Sequence, residues 1–277
     1  MLPNLLVIGA AKCGTTSLHE YLDEHPEISM SAEKELNFFV PEKSGGRSVE
    51  WYERQFDARA PVRGESSPAY TAHPFYPGPP ARIRALVPDV RLVYLVRDPI
   101  ERTVSHWFHR ASTHAEMPSL EDTLASEQGD WIVGLSRYWL QLEQYLPHFR
   151  PEQILVVDSD DLRDRRDEAL ARIFQFVGVD PDFRSAEFER EHVPVARPTR
   201  RTRTGRAVLG GLQRSLGATR TSAVLARTPT VLKTRFRRTL DRPVVTEAIR
   251  ARLERELRAD VEQLRAHTGQ AFDGWSI

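Results

Sequence analysis

The 277-residue chain predicts one α/β domain over 1–277. The expected core is a doubly wound, mainly parallel sheet flanked by helices, with a basic C-terminal flap at about 197–242 and a closing helix at about 246–267. Three observations carry this. Short unbroken apolar runs recur at Leu5-Leu6-Val7-Ile8, Arg91-Leu92-Val93-Tyr94-Leu95-Val96 and Ile154-Leu155-Val156-Val157, the pattern of strands covered on both faces. A segment of helical periodicity follows each run, and strands alternating with helices favour a parallel sheet with helices on both sides. The length also suffices to bury one large core.

Taken in order, the first run ends at Gly9 in a turn, and a helix follows with Leu18, Tyr21 and Leu22 at i, i+3 and i+4. His25-Pro26 stops it. A helical stretch at 81–87 precedes the second run. That run exits into Asp98-Pro99, where Asp98 serves as N-cap, Pro99 as first helical residue and Glu101 as third, an arrangement like a capping box. A helix through Tyr138, Leu142 and Tyr145 leads to the third run, and one through Leu170, Ile173 and Phe174 leaves it. The closing helix carries Ile249, Leu253, Leu257, Val261 and Leu264 as one apolar stripe, ending near Gly269.

Composition narrows the function classes. Lys and Arg number 39, Asp and Glu 39, so whole-molecule attraction to nucleic acid or membrane has no support. The distribution is uneven: 197–242 holds 13 basic residues against Asp241 alone. No segment approaches the roughly 20 apolar residues of a membrane span, and 2–11 lacks the basic start of a signal peptide, so the expectation is a soluble, cytoplasmic protein. Cys13 is the sole cysteine, which rules out an intrachain disulfide or a cysteine metal cluster. His106 and His109 stand three apart on a helix with no acidic or cysteine partner, and no metal is expected.

The segment Gly9-Ala10-Ala11-Lys12-Cys13-Gly14-Thr15-Thr16-Ser17 lies between a buried strand and a helix start. Unpaired N–H groups and the helix dipole there favour an anion. Lys12 adds a full charge and the three hydroxyls add donors, more than capping alone requires. The order departs from G-x-x-x-x-G-K-[ST], because Lys12 precedes Gly14, and this argues against ATP. A C-x5-R phosphatase loop would need Arg at the position of His19. Arg97, at the carboxyl end of the second run and 85 positions after Lys12, is placed for a second phosphate. Its alternative is an ion pair with Asp98 or Glu101, with Ser105 an ordinary helical residue.

Lys12-x-Gly14-Thr15-Thr16-Ser17 resembles the 5′-phosphosulfate loop of sulfotransferases that use 3′-phosphoadenosine 5′-phosphosulfate (PAPS), and Val96-Arg97-Asp98-Pro99 with Glu101-Arg102 and Ser105 resembles their 3′-phosphate element. The resemblance implies a P-loop-like fold, PAPS as cosubstrate held by Lys12, Cys13, Gly14, Thr15, Thr16, Ser17, Arg97 and Ser105, and Lys12 neutralising charge on the bridging oxygen. Lys34-Glu35-Leu36-Asn37-Phe38-Phe39 is similar to the segment supplying the catalytic glutamate in the heparan-sulfate-type branch, which implies Glu35 as base and Asn37 as an acceptor-orienting group. A histidine base, as in the aryl and steroid branch, would fall to His19, His25 or His106.

Gly64-Glu65-Ser66-Ser67-Pro68-Ala69-Tyr70 departs from the family by carrying Ser66 where a lysine is usual, while Glu65 and Tyr70 either line the acceptor cleft or fix the loop. Arg200, Arg201 and Arg203 fall roughly where relatives place a basic loop over the cofactor, or else they form a solvated face. The implied acceptor is a hydroxyl or amine of a carbohydrate, lipid or small metabolite. A nucleotide or small-molecule kinase and a non-catalytic anion-binding module are the competing readings.

Overall fold

The computed structural model describes residues 1–113, 117–189, 199–201, 237–239 and 241–277, with 199–201 and 237–239 by backbone alone. Five strands, β1 (Leu5–Gly9), β2 (Ile28–Met30), β3 (Val62–Ser66), β4 (Arg91–Val96) and β5 (Ile154–Asp158), form one parallel sheet in the order β2-β3-β1-β4-β5. Every residue of β1 is buried, because β3 and β4 flank it and helices cover both faces. The fold is the P-loop-like doubly wound α/β plan. Since all strands run the same way, their carboxyl ends share one edge, and the order switches direction around β1, the place where such sheets hold ligands.

The connections follow from local signals. Helix α1 (Thr15–Asp23) starts after Gly14, whose φ of +88° is a left-handed conformation that glycine adopts without penalty. Short helices α2 (Pro41–Ser44) and α3 (Val49–Glu53) precede β3, and α4 (Pro79–Leu86) precedes β4. Asp98 accepts the Glu101 N–H at 2.9 Å and opens α5 (Pro99–Thr113). The reciprocal half of a capping box is absent, because the Glu101 carboxylate is taken by Arg97 and Arg242. Helices α6 (Leu120–Leu124), α7 (Glu127–Gly134) and α8 (Tyr138–Leu142) lead to β5, and α9 (Ser159–Asp164) and α10 (Arg166–Val177) leave it.

The closing helix α11 (Glu247–Thr268) buries the predicted stripe of Ile249, Leu253, Leu257, Val261 and Leu264. Its Asp260 carboxylate accepts the N–H groups of Trp139 and Leu140, both at 2.9 Å, so it docks onto the open start of α8. Beyond it, Trp275 donates to Asp158 at 2.9 Å, and the Ser276 N–H donates to Asp98 at 2.5 Å. The tail thereby ties the ends of β4 and β5 together.

Two strands escape the periodicity reading. β2 has three residues, and β3 reads Val-Arg-Gly-Glu-Ser, with Glu65 and Ser66 fully buried in a segment that carries no apolar run. Within the basic stretch, β6 (Thr199–Arg201) pairs antiparallel with β7 (Arg237–Thr239), placing Arg200 opposite Arg238, and β6 lies beside α5. Most of the predicted flap, Arg203 included, lies outside the described residues.

Candidate active site

The β1–α1 loop is built for close approach. A Cβ on Gly9 would fall 2.0 Å from Thr71 Oγ1, which itself donates to the Ile8 carbonyl at 3.1 Å, so only glycine fits there. Lys12 follows with φ +73°, an uncommon conformation for a side-chain-bearing residue. Among the described residues, four non-glycine positions have positive φ: Lys12, Glu35, Asn37 and Phe272. Three of the four are candidate site residues, Lys12 and Glu35 as catalytic groups and Asn37 on the acceptor side, and backbone held in such conformations concentrates at functional sites.

The Lys12 ammonium loses proton affinity by burial, an effect the Glu35 carboxylate opposes and the charges of Arg102 and Lys34 reinforce. Lys12 and Glu35 therefore share one electrostatic environment. Thr15 is buried, Thr16 exposed and Ser17 half-buried. The Cys13 side chain is buried with Sγ 3.5 Å from the Tyr138 hydroxyl, and burial raises its pKa to about 11. The thiol is thus protonated and faces the interior, which removes it as a nucleophile. Its N–H is also engaged, donating to the Ala10 carbonyl at 3.2 Å.

A cavity of 730 Å³ opens beside this loop, lined by Lys12, Cys13, Gly14, Ser17, Tyr21 and Arg97 on one side and by Ser159, Asp160, Leu162, Arg163 and Arg166 on the other. Its size suits a nucleotide-scale ligand. Arg97, one-quarter exposed, lies 3.4 Å from Glu101, so the strand-end ion pair exists and the guanidinium also faces the cavity. Ser105 is half-buried on α5 and does not line this cavity. The wall from Ser159 to Arg166 went unread in the sequence. The rule that ligands sit beyond strand carboxyl ends applies to β5 as much as to β1 and β4, and would have found it.

Arg102 was also passed over. It is fully buried and donates to Ser136 Oγ (2.7 Å), the Ile132 carbonyl (2.6 Å), His106 Nδ1 (3.2 Å) and, at 3.4 Å, the Ala11 carbonyl in the anion loop. No carboxylate pairs with it among the described residues. It braces the loop from behind and adds positive potential there.

Glu35 sits in a loop held along the end of β3: its N–H donates to the Ser66 carbonyl at 3.0 Å, and its own carbonyl accepts from Asn37 Nδ2 at 2.6 Å. The Asn37 N–H donates to Ser67 Oγ at 2.9 Å, and its Oδ1 is buried without a partner among the described residues. A buried acceptor of this kind is costly unless a ligand fills it. The three histidines are each engaged. His19 contacts Ser66 Oγ (3.0 Å) and the Ser31 carbonyl (3.1 Å), and burial lowers its pKa. His25 contacts the Asp180 carbonyl and the Glu27 N–H, each at 3.2 Å. His106 accepts from Arg102, and burial together with that charge pushes its pKa to about 2. Ser66, at the position where a lysine is usual, carries a neutral hydroxyl that is buried against His19.

For Glu65 and Tyr70 the structure corrects the acceptor-cleft alternative. Glu65 is fully buried and accepts three hydroxyls, from Tyr52, Ser67 and Tyr70, each at 2.6 Å. Tyr70 is buried as well. Burial raises the Glu65 proton affinity, partly offset by those three donors. Their role is support: Glu65 orients Ser67, Ser67 holds Asn37, and Asn37 holds the Glu35 carbonyl. Glu65→Ala strands three buried hydroxyls and should lower unfolding stability by about 3–5 kcal/mol. Urea unfolding measures this, and a loss under about 1 kcal/mol would contradict the network.

Fold and loop together define an α/β protein with a glycine- and lysine-bearing loop at its strand ends. Residues 2–193 match the sulfotransferase domain model, and the chain belongs to the sulfotransferase family. It is 29% identical over 197 residues to the bifunctional heparan sulfate N-deacetylase/N-sulfotransferase 1 of Caenorhabditis elegans, covering 66% of this chain and 22% of that one. It is likewise 29% identical over 189 residues to the human heparan sulfate glucosamine 3-O-sulfotransferase 3B1, covering 64% and 46%. The chain thus spans less than half the length of these curated relatives. A sulfotransferase from Alicyclobacillus acidocaldarius superimposes with TM-score 0.62 at 26% identity, covering 84% of this chain and 99% of that one. No helix among the described residues is long and apolar enough to cross a membrane.

Proposed function

We propose that the protein transfers a sulfuryl group from PAPS to a hydroxyl or amine of an acceptor, with Glu35 as general base and Lys12 as the principal charge stabiliser. The observation that carries this is the single cavity lined by both Lys12 and Arg97. Two cations on one nucleotide-sized cavity suit a donor with anionic groups at its 5′ and 3′ positions. PAPS supplies an activated sulfur–oxygen bond. Glu35 takes the acceptor proton as the new bond to sulfur forms. Lys12 meets the electron pair left on the 5′-phosphate oxygen. Arg97 holds the 3′-phosphate through its planar guanidinium, a role for which its weak 3.4 Å bond to Glu101 leaves it available. Cys13, Gly14, Thr15, Thr16 and Ser17 line the loop around the 5′ group, and the orphan Asn37 Oδ1 accepts from the acceptor. Arg200 and Arg201, on the β6 strand beside α5, belong to the basic stretch that we assign to the donor side.

The likeness to heparan sulfate enzymes favours a carbohydrate acceptor. The free, buried Cys13 is compatible with a reducing compartment, and we assign the protein to the cytoplasm. Incubation with radiolabelled PAPS and a panel of amino and hydroxyl sugars tests the reading. Label should pass to an acceptor with release of 3′-phosphoadenosine 5′-phosphate (PAP). Phosphoryl transfer from ATP·Mg²⁺, with no label moved from PAPS, would point to a kinase instead.

A further inference from the structure

We propose that Lys34 is a further cation of the donor site, beside Lys12: it grips the sulfuryl oxygens of the bound donor and thereby frees Glu35 to act as base. The inference rests on the donor and base assignments above. Lys34 Nζ lies 3.4 Å from Thr15 Oγ1, in the first turn of α1, and 3.4 Å from Glu35 Oε1. It therefore bridges the anion loop and the base.

Both contacts are long for hydrogen bonds to an ammonium, which has three protons to donate. Neither saturates it. The side chain is one-fifth exposed, whereas that of Glu35 is half exposed, so the ammonium is the more sheltered of the pair. The charge of Lys34 also disfavours protonated Lys12, so two like charges are held near each other around the loop. An anion between two such cations relieves their repulsion and gains a contact with each. The backbone on either side is pinned, with Ser31 Oγ donating to the Glu33 carbonyl at 2.8 Å and the Glu35 N–H to Ser66 at 3.0 Å. Only the side chain needs to turn.

In the transfer step the acceptor oxygen or nitrogen bonds to sulfur as the bond from sulfur to the bridging oxygen breaks. The electron pair of that bond stays on the 5′-phosphate, and the acceptor proton passes to Glu35. Lys34 keeps its protons throughout. By moving from the Glu35 carboxylate to the sulfuryl oxygens, it leaves the Glu35 Oε1 open to receive the acceptor proton. The base becomes competent only when the donor carries its sulfuryl group.

PAP and PAPS differ in that group alone, so their affinities separate this role from a structural one without any acceptor. Calorimetry on wild type, Lys34→Met and Lys34→Arg should show Lys34→Met weakening PAPS about tenfold while PAP changes by less than about twofold. Lys34→Arg should retain most of the preference for PAPS. Equal loss for both nucleotides would make Lys34 structural, and no loss for either would make it a surface charge; each result overturns the inference while leaving the donor assignment intact. A wild-type protein that bound neither nucleotide would overturn the donor assignment, and this inference with it.

Discussion

Glu35→Gln should slow sulfuryl transfer by about 10²–10⁴-fold, the usual worth of a positioned general base, with PAP affinity and thermal stability close to wild type. The separation of these effects follows from how the residue is held. Its position depends on its backbone, through the bonds to Ser66 and Asn37, and the carboxylate is half exposed with Lys34 as its ion-pair partner. An exposed pair of this kind contributes little to stability. Glutamine keeps the shape and loses the basic site. Single-turnover transfer measured beside PAP binding resolves the two quantities. Full activity in Glu35→Gln would place the base elsewhere, and His19, His25 and His106 are poor substitutes, since each already spends ring nitrogens on protein partners.

Lys12→Ala should be nearly as damaging, with turnover falling about 10²–10³-fold, the range seen when one preorganised charge-stabilising donor is lost. Here donor affinity should fall as well, because Lys12 lines the cavity and its charge is present before and during bond breaking. Arg102 lies behind the same loop and cannot take over, since its donors are committed to Ser136, Ile132, His106 and Ala11. Rapid-quench transfer with saturating PAPS separates the turnover loss from the affinity loss. A Lys12→Ala protein that turned over normally once saturated would reduce Lys12 to a binding residue.

Much of this site was readable because its parts are local. The anion loop occupies consecutive positions between an apolar run and a helix start, and Asp98-Pro99 announces the helix that begins just after Arg97. The strands β1, β4 and β5 are legible because burial of most of their residues forces unbroken apolar sequence. β3 is buried just as deeply yet polar, since Glu65 finds its three hydroxyls at positions 52, 67 and 70, and no periodicity encodes a carboxylate satisfied by tertiary contacts. Lys34 was hidden for the same reason. Its meeting with Thr15, 19 residues earlier, exists only once β2 has brought the chain back beside α1. The Arg163 and Arg166 wall becomes part of the site only because β5 pairs with β4.

The central claim is that this cavity recognises a nucleotide carrying both 5′ and 3′ anionic groups, and calorimetry with PAP, AMP and ATP·Mg²⁺ on wild type and Arg97→Ala tests it most directly. The account predicts that PAP binds far more tightly than AMP or ATP·Mg²⁺, and that Arg97→Ala removes most of that preference, a loss of about tenfold or more for a charged hydrogen-bond donor. Tighter binding of ATP·Mg²⁺ than of PAP, with no effect of Arg97→Ala, would contradict it.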